Sequence, residues 1–556
     1  MTTFEGPPLS SVEGIGPLTL GRFVAEVRRR HGEREALVFN DPLRQGETQR
    51  WSYADLEREA VAVAGGLMGR GVGHSSRVGI VMGNRPEAVA AIFGIGLAGG
   101  VAVPLSTFST SNELRDLLAR SAVAGVLTQR RLLKADLGAE LSALVGDGGL
   151  PFLRWSASVG EDSWNSMIDE GTENLEAVRA RAVDIGPEDP GLILFSSGTT
   201  STPKGILHPH RAPTLQFWLQ AEIFRRTVDS RVWAPLPLFW TAGLTTALGP
   251  TLAGGGCVVL QEVFEAGAAL ALLERERVTE PYTLPHQAAA LMEHPDWERT
   301  DLSALREVYG KSVFTRHPSV HGDSTWTLPN AYGMSETCAS VVSHRWDATR
   351  AEMKTSTGRP VAGVRLRVVD PDTGEVLGPD QDGELAVAGP TLMDRYLGQT
   401  REECFDADGF LHTGDVGYVD PEGEVHWTGR RTEMIKTAGS NVSPAELEIA
   451  LRACPAVRRS RVVGVPDDRL GEVVTLCVET AEGAVTTAEE LTVFLSARVA
   501  RYKVPRHVLF FANGELPTTG SETKVRDDEL IAIATRRLAT DSLARSPEAV
   551  DSKDRR

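Results

Sequence analysis

Phe195-Ser196-Ser197-Gly198-Thr199-Thr200-Ser201-Thr202-Pro203-Lys204-Gly205 is a hydroxyl- and glycine-rich run closing on a lysine, directly after the apolar Leu192-Ile193-Leu194-Phe195. The apolar run reads as a buried strand and the polar run as the loop at its end. Such a loop suits the phosphates of a nucleotide. Glycine lets backbone N–H groups approach, hydroxyls donate to phosphate oxygens or ligate a hard cation, and lysine adds positive charge. A polar surface turn is the competing reading; four hydroxyls around Gly198 and a terminal Pro-Lys-Gly favour the phosphate loop. No Gly-Lys-Ser/Thr ends it, so it is not a Walker A loop.

Outward from this loop, strand-like runs (78–82, 125–127, 256–260) alternate with amphipathic stretches (20–30, 53–70, 266–277). That alternation predicts a parallel α/β architecture. From about Gly363 the texture changes to short strands with turns (364–369, 384–387, 417–419, 424–427), predicting a β-rich subdomain. After Gly429-Arg430 a compact α+β segment is expected, with helices at 445–452 and 488–499 and strands at 461–465 and 473–479. The predicted division is a flexible tail over 1–17, a large α/β domain over 18–430, a small mobile α+β domain over 431–540 and a disordered tail over 541–556.

At 556 residues the chain exceeds one core, and 41% hydrophobic with 24% charged residues suits a folded multidomain protein rather than a disordered one. A net charge of −17 argues against a general nucleic-acid or anionic-membrane surface, so any anionic ligand needs a local cluster of donors. Cys257, Cys338, Cys404, Cys454 and Cys477 lack paired spacing, which predicts reduced thiols in a cytoplasmic protein. The first 17 residues carry Pro, Gly and acids but no apolar core, so no signal peptide is expected. Two uncharged stretches, 88–105 and 232–261, are interrupted by Gly99-Gly100 and by Pro235, Pro237 and Pro250. Both read as buried helix–turn–strand units rather than membrane spans, and the protein is expected to be soluble.

Two nucleotide-motif matches fail on context. Gly94-Ile95-Gly96-Leu97-Ala98-Gly99 follows a helical segment and precedes a strand, the inverse of a dinucleotide fingerprint. Gly310-Lys311-Ser312 resembles the end of a Walker A, but position 305 is Leu. Four motifs downstream carry more. Tyr332-Gly333-Met334-Ser335-Glu336 reads as a turn with an aromatic face, a hydroxyl and a carboxylate suited to Mg²⁺. His412-Thr413-Gly414-Asp415 puts a carboxylate at a tight turn, suited to ribose hydroxyls. Gly429-Arg430-Arg431-Thr432-Glu433-Met434-Ile435-Lys436 marks the change of texture, and Leu516 to Arg526 forms a loop presenting Lys524.

Taken in order, these motifs resemble the adenylate-forming superfamily of acyl-CoA synthetases, luciferases and nonribosomal adenylation domains, over about residues 20–535. The resemblance implies two steps: attack of a carboxylate on the ATP α-phosphate, giving acyl-adenylate and pyrophosphate, then displacement of AMP by a thiol such as CoA. It implies that Ser196, Ser197, Gly198, Thr199, Thr200 and Lys204 hold phosphates, with Thr199 and Glu336 meeting Mg²⁺. Gly310, Asn330, Ala331, Tyr332, Gly333 and Ser335 frame the nucleotide, while Asp415 and Arg430 take the ribose. Lys524 bridges carboxylate and α-phosphate, where two anions meet and a cation matters most. Catalysis then falls to Lys524, Thr199 and Glu336. Glu433 is the implied hinge, and Lys436, Ala438, Gly439 and Ser440 form a loop offered to the thiol. Trp240, Gly243 and Lys311 are implied at the acyl pocket.

The chain departs from the family pattern at four places. Ser201 replaces a common Gly, Trp240 a common His, Lys311 a small residue, and Glu522 is an extra residue before Thr523-Lys524. Trp240 walls the acyl pocket, walls the thiol path, or packs in the core; Lys311 pairs a second carboxylate, meets a polar group, or faces solvent. The leading function is an AMP-forming acyl-CoA synthetase taking ATP, Mg²⁺, a carboxylic acid and CoA, with a place in fatty-acid or lipid metabolism. An adenylating enzyme serving a carrier protein or another nucleophile is the second reading, and a degenerate nucleotide-binding protein the third. A monomer or homodimer without nucleic-acid partners is expected.

Overall fold

In a computed structural model of the chain, the described residues are 2–146, 148–196, 203–308, 313–321, 326–327, 329–349, 351–430, 434–451, 453–481, 483–512, 514–517 and 526–544. The apolar runs first seen in sequence form a seven-stranded sheet. Its order is Arg395–Tyr396, Lys204–Pro209, Pro190–Ser196, Val101–Pro104, Arg77–Val81, Gly125–Gln129, Trp155–Val159. The last five are parallel and largely buried, and most are rich in Val, Ile or Leu, as expected of strands covered on both faces. Lys204–Pro209 turns back antiparallel to Pro190–Ser196, with Ser196 opposite Lys204. The polar run is therefore the connection of this antiparallel pair, and residues 197–202 themselves lie outside the described residues.

Both uncharged stretches fold as helix–turn–strand units. Pro86–Leu97 is a helix buried along its whole length, started by Pro86 in its first turn. Gly99, at φ +83°, turns the chain into Val101–Pro104. The second stretch runs from the strand Arg231–Trp233 through a π-helical turn, Ala242–Leu248, and the helix Gly249–Ala253 into the strand Cys257–Leu260. These strands belong to a second sheet, ordered Glu280–Pro281, Arg231–Trp233, Cys257–Leu260, Glu35–Asp41, Glu47–Ser52. Among the described residues no helix is long and apolar enough to cross a membrane.

The expected β-rich part is an antiparallel sheet of Phe4–Glu5, Arg365–Val369, Gly383–Ala388, Leu411–Val419 and Val425–Arg430. It corrects the reading of residues 1–17 as a flexible tail. Phe4 pairs with Leu366, and the Gly6 N–H donates to the Val364 carbonyl at 2.8 Å. Leu9, Val12 and Ile15 pack on the same core, so scattered apolar residues in an otherwise polar segment anchor it.

Contacts divide the described residues into two units: Met1–Thr107, Leu114–Ser196 and the part from Lys204 to residue 430 form one, and Phe108–Glu113 with the part from residue 434 onward form the other. In the second, Ile435–Thr437, Ser440–Val442, Val457–Asp467, Gly471–Thr480 and His507–Phe511 make one sheet. The helices Pro444–Leu451 and Ala488–Ser496 pack into its core, which holds Leu447, Leu451, Leu491 and Leu495. The helix Asp527–Ala544 runs past the point where a disordered tail is expected; residues 545–556 lie outside the described residues.

Candidate functional site

The ends of the loop after Pro190–Ser196 are set by strand pairing. Ser196 Oγ is shielded from solvent and has no hydrogen-bond partner among the described residues. A buried hydroxyl left in that state awaits a polar partner. Across the pair, Lys204 Nζ lies 5.0 Å from the centroid of the Tyr396 ring, a cation–π seat. The Tyr396 hydroxyl donates to Glu336 Oε1 at 2.8 Å, and Glu336 is only 7% exposed. Lys204 and Glu336 are thereby joined through a residue the sequence reading missed. Tyr396 lies sixty positions beyond Glu336 in a two-residue strand, too short for any periodic signal.

The Tyr332-to-Glu336 motif is not the turn expected of it. Ala331–Met334 is a strand paired with Ala339–Ser343, and only Ser335–Thr337 curls into a 3₁₀ turn. The register shifts between Tyr332 and Gly333, and a Cβ on Gly333 would stand 2.0 Å from the Ala339 carbonyl oxygen, so only glycine fits. Tyr332 is buried while Ala331 and Gly333 are exposed. Its hydroxyl donates to Asp415 Oδ2 at 2.8 Å. Asp415 also departs from expectation: it sits within the nine-residue strand Leu411–Val419 rather than at a tight turn. Gly414, at φ +73°, kinks that strand, and the Asp415 N–H donates to Thr413 Oγ1 at 3.1 Å. Arg430 faces Asp415 in register on the neighbouring strand, bringing the two ribose candidates together at backbone level. The exposed Asn330 is tied down by its side-chain amide, which donates to the Met353 carbonyl at 2.5 Å.

Ser335 links this part to the segment that carries Trp240 and Gly243. Thr241 Oγ1 donates to Ser335 Oγ at 3.1 Å, and Thr241 follows Trp240, which is half-buried with its ring edge-on to Phe239 at 6.1 Å. Pro235 and Pro237 remove the N–H groups a strand would need here. The buried Asn84 supplies the missing pairing: its Nδ2 donates to the Leu236 carbonyl at 2.8 Å, and its Oδ1 accepts from the Leu238 N–H at 3.0 Å. Gly243 then packs directly on that segment, where a Cβ would meet the Pro237 carbonyl oxygen at 2.1 Å. The position thus faces backbone, which explains the glycine by close approach. At the other end of the π-helical turn, the buried Arg226 donates to the Thr246 and Ala247 carbonyls at 2.5 and 2.9 Å while pairing Glu280 at 2.5 Å. A π turn leaves carbonyls displaced from α-helical partners, and a guanidinium fork satisfies two of them at once. Asn84, Arg226 and Glu280 carry no motif; only contacts distant in sequence reveal them.

Lys436, Ala438, Gly439 and Ser440 belong to the second unit, as a hairpin between Ile435–Thr437 and Ser440–Val442. Ala438 and Gly439 have φ of 50° and 79°, the pattern of a tight hairpin turn. The Lys436 N–H donates to Glu472 Oε2 at 2.6 Å, leaving the turn exposed at Gly439. Ser197, Gly198, Thr199, Thr200, Gly310, Lys311, Glu433 and Lys524 lie outside the described residues.

Burial pushes the His208 imidazole, in the strand Lys204–Pro209, down to about 3 against the opposing pull of the Ser335 backbone. His210 is pushed down to about 4, also by burial. Both are neutral near pH 7, so the charge beside the loop comes from Lys204. Among the described residues, no group of three or more His, Cys, Asp or Glu is arranged to hold a metal ion by itself. One carboxylate with neighbouring hydroxyls fits Mg²⁺, which keeps waters and takes the rest of its shell from phosphates.

The family model for the AMP-binding enzyme matches residues 24–397, and that for the AMP-binding enzyme C-terminal domain matches 446–523. The chain is 32% identical over 489 residues to an indoleacetate–CoA ligase of Aromatoleum aromaticum, covering 87% of this chain and 94% of that one. It is 35% identical over 477 residues to a feruloyl-CoA synthase of an Amycolatopsis species, covering 84% and 91%. Among solved structures, an amide bond synthetase from Marinactinospora thermotolerans superposes with a TM-score of 0.74 at 27% identity, covering 92% of this chain and 99% of that one.

Proposed function

The chain belongs to the AMP-binding enzyme family and is an AMP-forming acid–CoA ligase, and from that premise we propose that its acid is a compact, ring-bearing carboxylic acid rather than a long-chain fatty acid. One observation carries this reading: the segment holding Trp240 and the π-helical turn after it are pinned at both ends, by Asn84 and Gly243 on one side and by Arg226 with Glu280 on the other. A wall held that firmly suits a rigid ring against an indole face better than a long flexible chain. The acids in the names of the two similar ligases, indoleacetate and ferulate, are of that compact aromatic kind.

The chemistry assigned to each residue follows from charge. Bringing a carboxylate onto the α-phosphate joins two anions, and preorganised cations lower that barrier most. Lys204 and the hydroxyls from Ser196 onward hold the terminal phosphates; Tyr332 and Asp415 with Arg430 hold the nucleoside; Lys524 meets the reacting carboxylate. Glu336 and Thr199 are the residues that would hold Mg²⁺, which when bound neutralises phosphate charge. Glu433 is the proposed hinge and the Lys436-to-Ser440 hairpin the thiol side. The free cysteines, four of them buried, support a reducing cytoplasmic setting.

The test is incubation with ATP, Mg²⁺, CoA and an acid panel (phenylpropenoic, indolyl, bicyclic alicyclic, medium- and long-chain), reading AMP and thioester by mass spectrometry. Thioester from a ring acid at a kcat/KM at least tenfold above palmitate is the expected result; preference for palmitate overturns the substrate reading. Adenylate turnover without thioester, or amide formed from an added amine, overturns CoA as acceptor. Glu433→Pro should block thioester formation while ATP–pyrophosphate exchange persists; equal loss of both sinks the hinge.

A further inference from the structure

We infer that Tyr396 is a positioning residue that holds the Lys204 ammonium and the Glu336 carboxylate apart, so that the two do not quench each other. The inference rests on the activation-site reading of Lys204 and Glu336. A basic and an acidic side chain facing one cleft tend to close into an ion pair, and such a pair would quench the two charges this chemistry needs. Among the described residues, Lys204 makes no ion pair with a carboxylate; it sits on the Tyr396 ring instead. The same ring carries the hydroxyl that donates to Glu336 Oε1 at 2.8 Å. A neutral phenol thus binds the cation with its face and the anion with its edge, and cancels neither.

The backbone around Tyr396 is built to hold that position. Residues 393–397 form a strap touching both partners. The Met393 N–H donates to the Glu336 carbonyl, the Asp394 N–H to the Leu207 carbonyl and the Leu397 N–H to the Gly205 carbonyl, each at 2.8 Å. Tyr396 is paired in register with Ile206, two residues beyond Lys204. Gly205 lies so close to Leu397 that a Cβ would stand 2.5 Å from its Cδ1. The strap therefore fixes the Glu336 turn and the Lys204 end of the phosphate loop to one short strand, and Tyr396 is where the side chains meet.

Tyr396→Phe and Tyr396→Leu separate the two halves of this role. The Phe variant keeps the cation seat and loses the donor to Glu336. Its Mg²⁺ requirement for half-maximal ATP–pyrophosphate exchange should rise roughly fivefold to tenfold, the scale of one charge-assisted hydrogen bond, with the KM for the acid unchanged. The Leu variant should also bind ATP about tenfold more weakly by calorimetry in EDTA, because Lys204 then swings onto Glu336. In a Glu336→Gln background, Tyr396→Phe should add almost nothing, since residues acting through one another are not additive. The inference is overturned if Tyr396→Phe leaves the Mg²⁺ response unchanged, or costs as much in the Glu336→Gln background as in the wild type, or if both variants merely lower the melting temperature and kcat together. Wild-type protein without ATP–pyrophosphate exchange on any acid would instead refute the activation-site reading itself.

Discussion

Asp415 is a carboxylate 3% exposed, and its Oδ2 accepts a hydrogen bond from the Tyr332 hydroxyl at 2.8 Å. Removing one partner of a buried, charge-assisted hydrogen bond costs about 1–3 kcal/mol, more than the bond's net worth, because the other partner is left desolvated. Tyr332→Phe should therefore lower the unfolding midpoint and raise the KM for ATP about tenfold. Titrating ATP at saturating acid and CoA measures the second effect, while the KM for the acid should be unmoved. Glu336→Gln keeps shape but loses the charge that the Tyr396 hydroxyl serves. It should cost roughly 10²–10³ in adenylation rate, on the scale of losing one preorganised electrostatic group, and pyrophosphate exchange reads it directly.

Between residue and molecule, two elements lend themselves to separate tests, one in each unit. The segment through Pro235 and Pro237 lacks the N–H groups to pair as a strand, so the Asn84 amide takes a neighbouring strand's place. Asn84→Ala leaves a buried carbonyl and a buried N–H unpaired, at about 1–3 kcal/mol. Because the segment leads straight into Trp240 and the π-helical turn, the KM for the acid should rise several-fold with the KM for ATP constant; steady-state kinetics against each substrate tests the split. The hairpin from Ile435–Thr437 to Ser440–Val442 is the second element. Gly439 at φ +79° holds a conformation that costs a side chain about 1–2 kcal/mol, so Gly439→Val should slow thioester formation while ATP–pyrophosphate exchange continues.

For the whole molecule, acid stability follows from its buried histidines. His208 and His210 have ordinary values near 6.5 when unfolded and are held at about 3 and about 4 in the fold. Between those limits the unfolded chain takes up protons that the fold refuses. Their contribution is complete above about pH 6.5 and is lost as pH falls below it, by at most ~1.4 kcal/mol per pH unit for each ring. Urea unfolding of the wild type should thus show a falling midpoint from pH 7 to pH 5.5, above the range where ordinary carboxylates titrate. His208→Gln should flatten that fall by up to one proton's worth, whatever its own cost at pH 7.

What was readable from sequence alone is what depends on local chemistry. The run from Ser196 to Lys204 announced a loop after a buried strand, because glycine, hydroxyls and lysine following Leu192-Ile193-Leu194-Phe195 leave few other uses for those side chains. Alternating apolar runs announced the parallel sheets, and proline and glycine placements identified the uncharged stretches as helix, turn and strand. Ordered motifs named the family. What only the tertiary structure decided is pairing over long separations. Tyr332 and Asp415 looked like turn residues, yet both lie on strands, since a single glycine (Gly333 or Gly414) can bulge or kink a strand where it otherwise reads as a turn. Tyr396 between Lys204 and Glu336, Asn84 across from Leu236 and Leu238, and Arg226 on the π-turn carbonyls show no local pattern, because each acts through a partner the chain reaches only by folding.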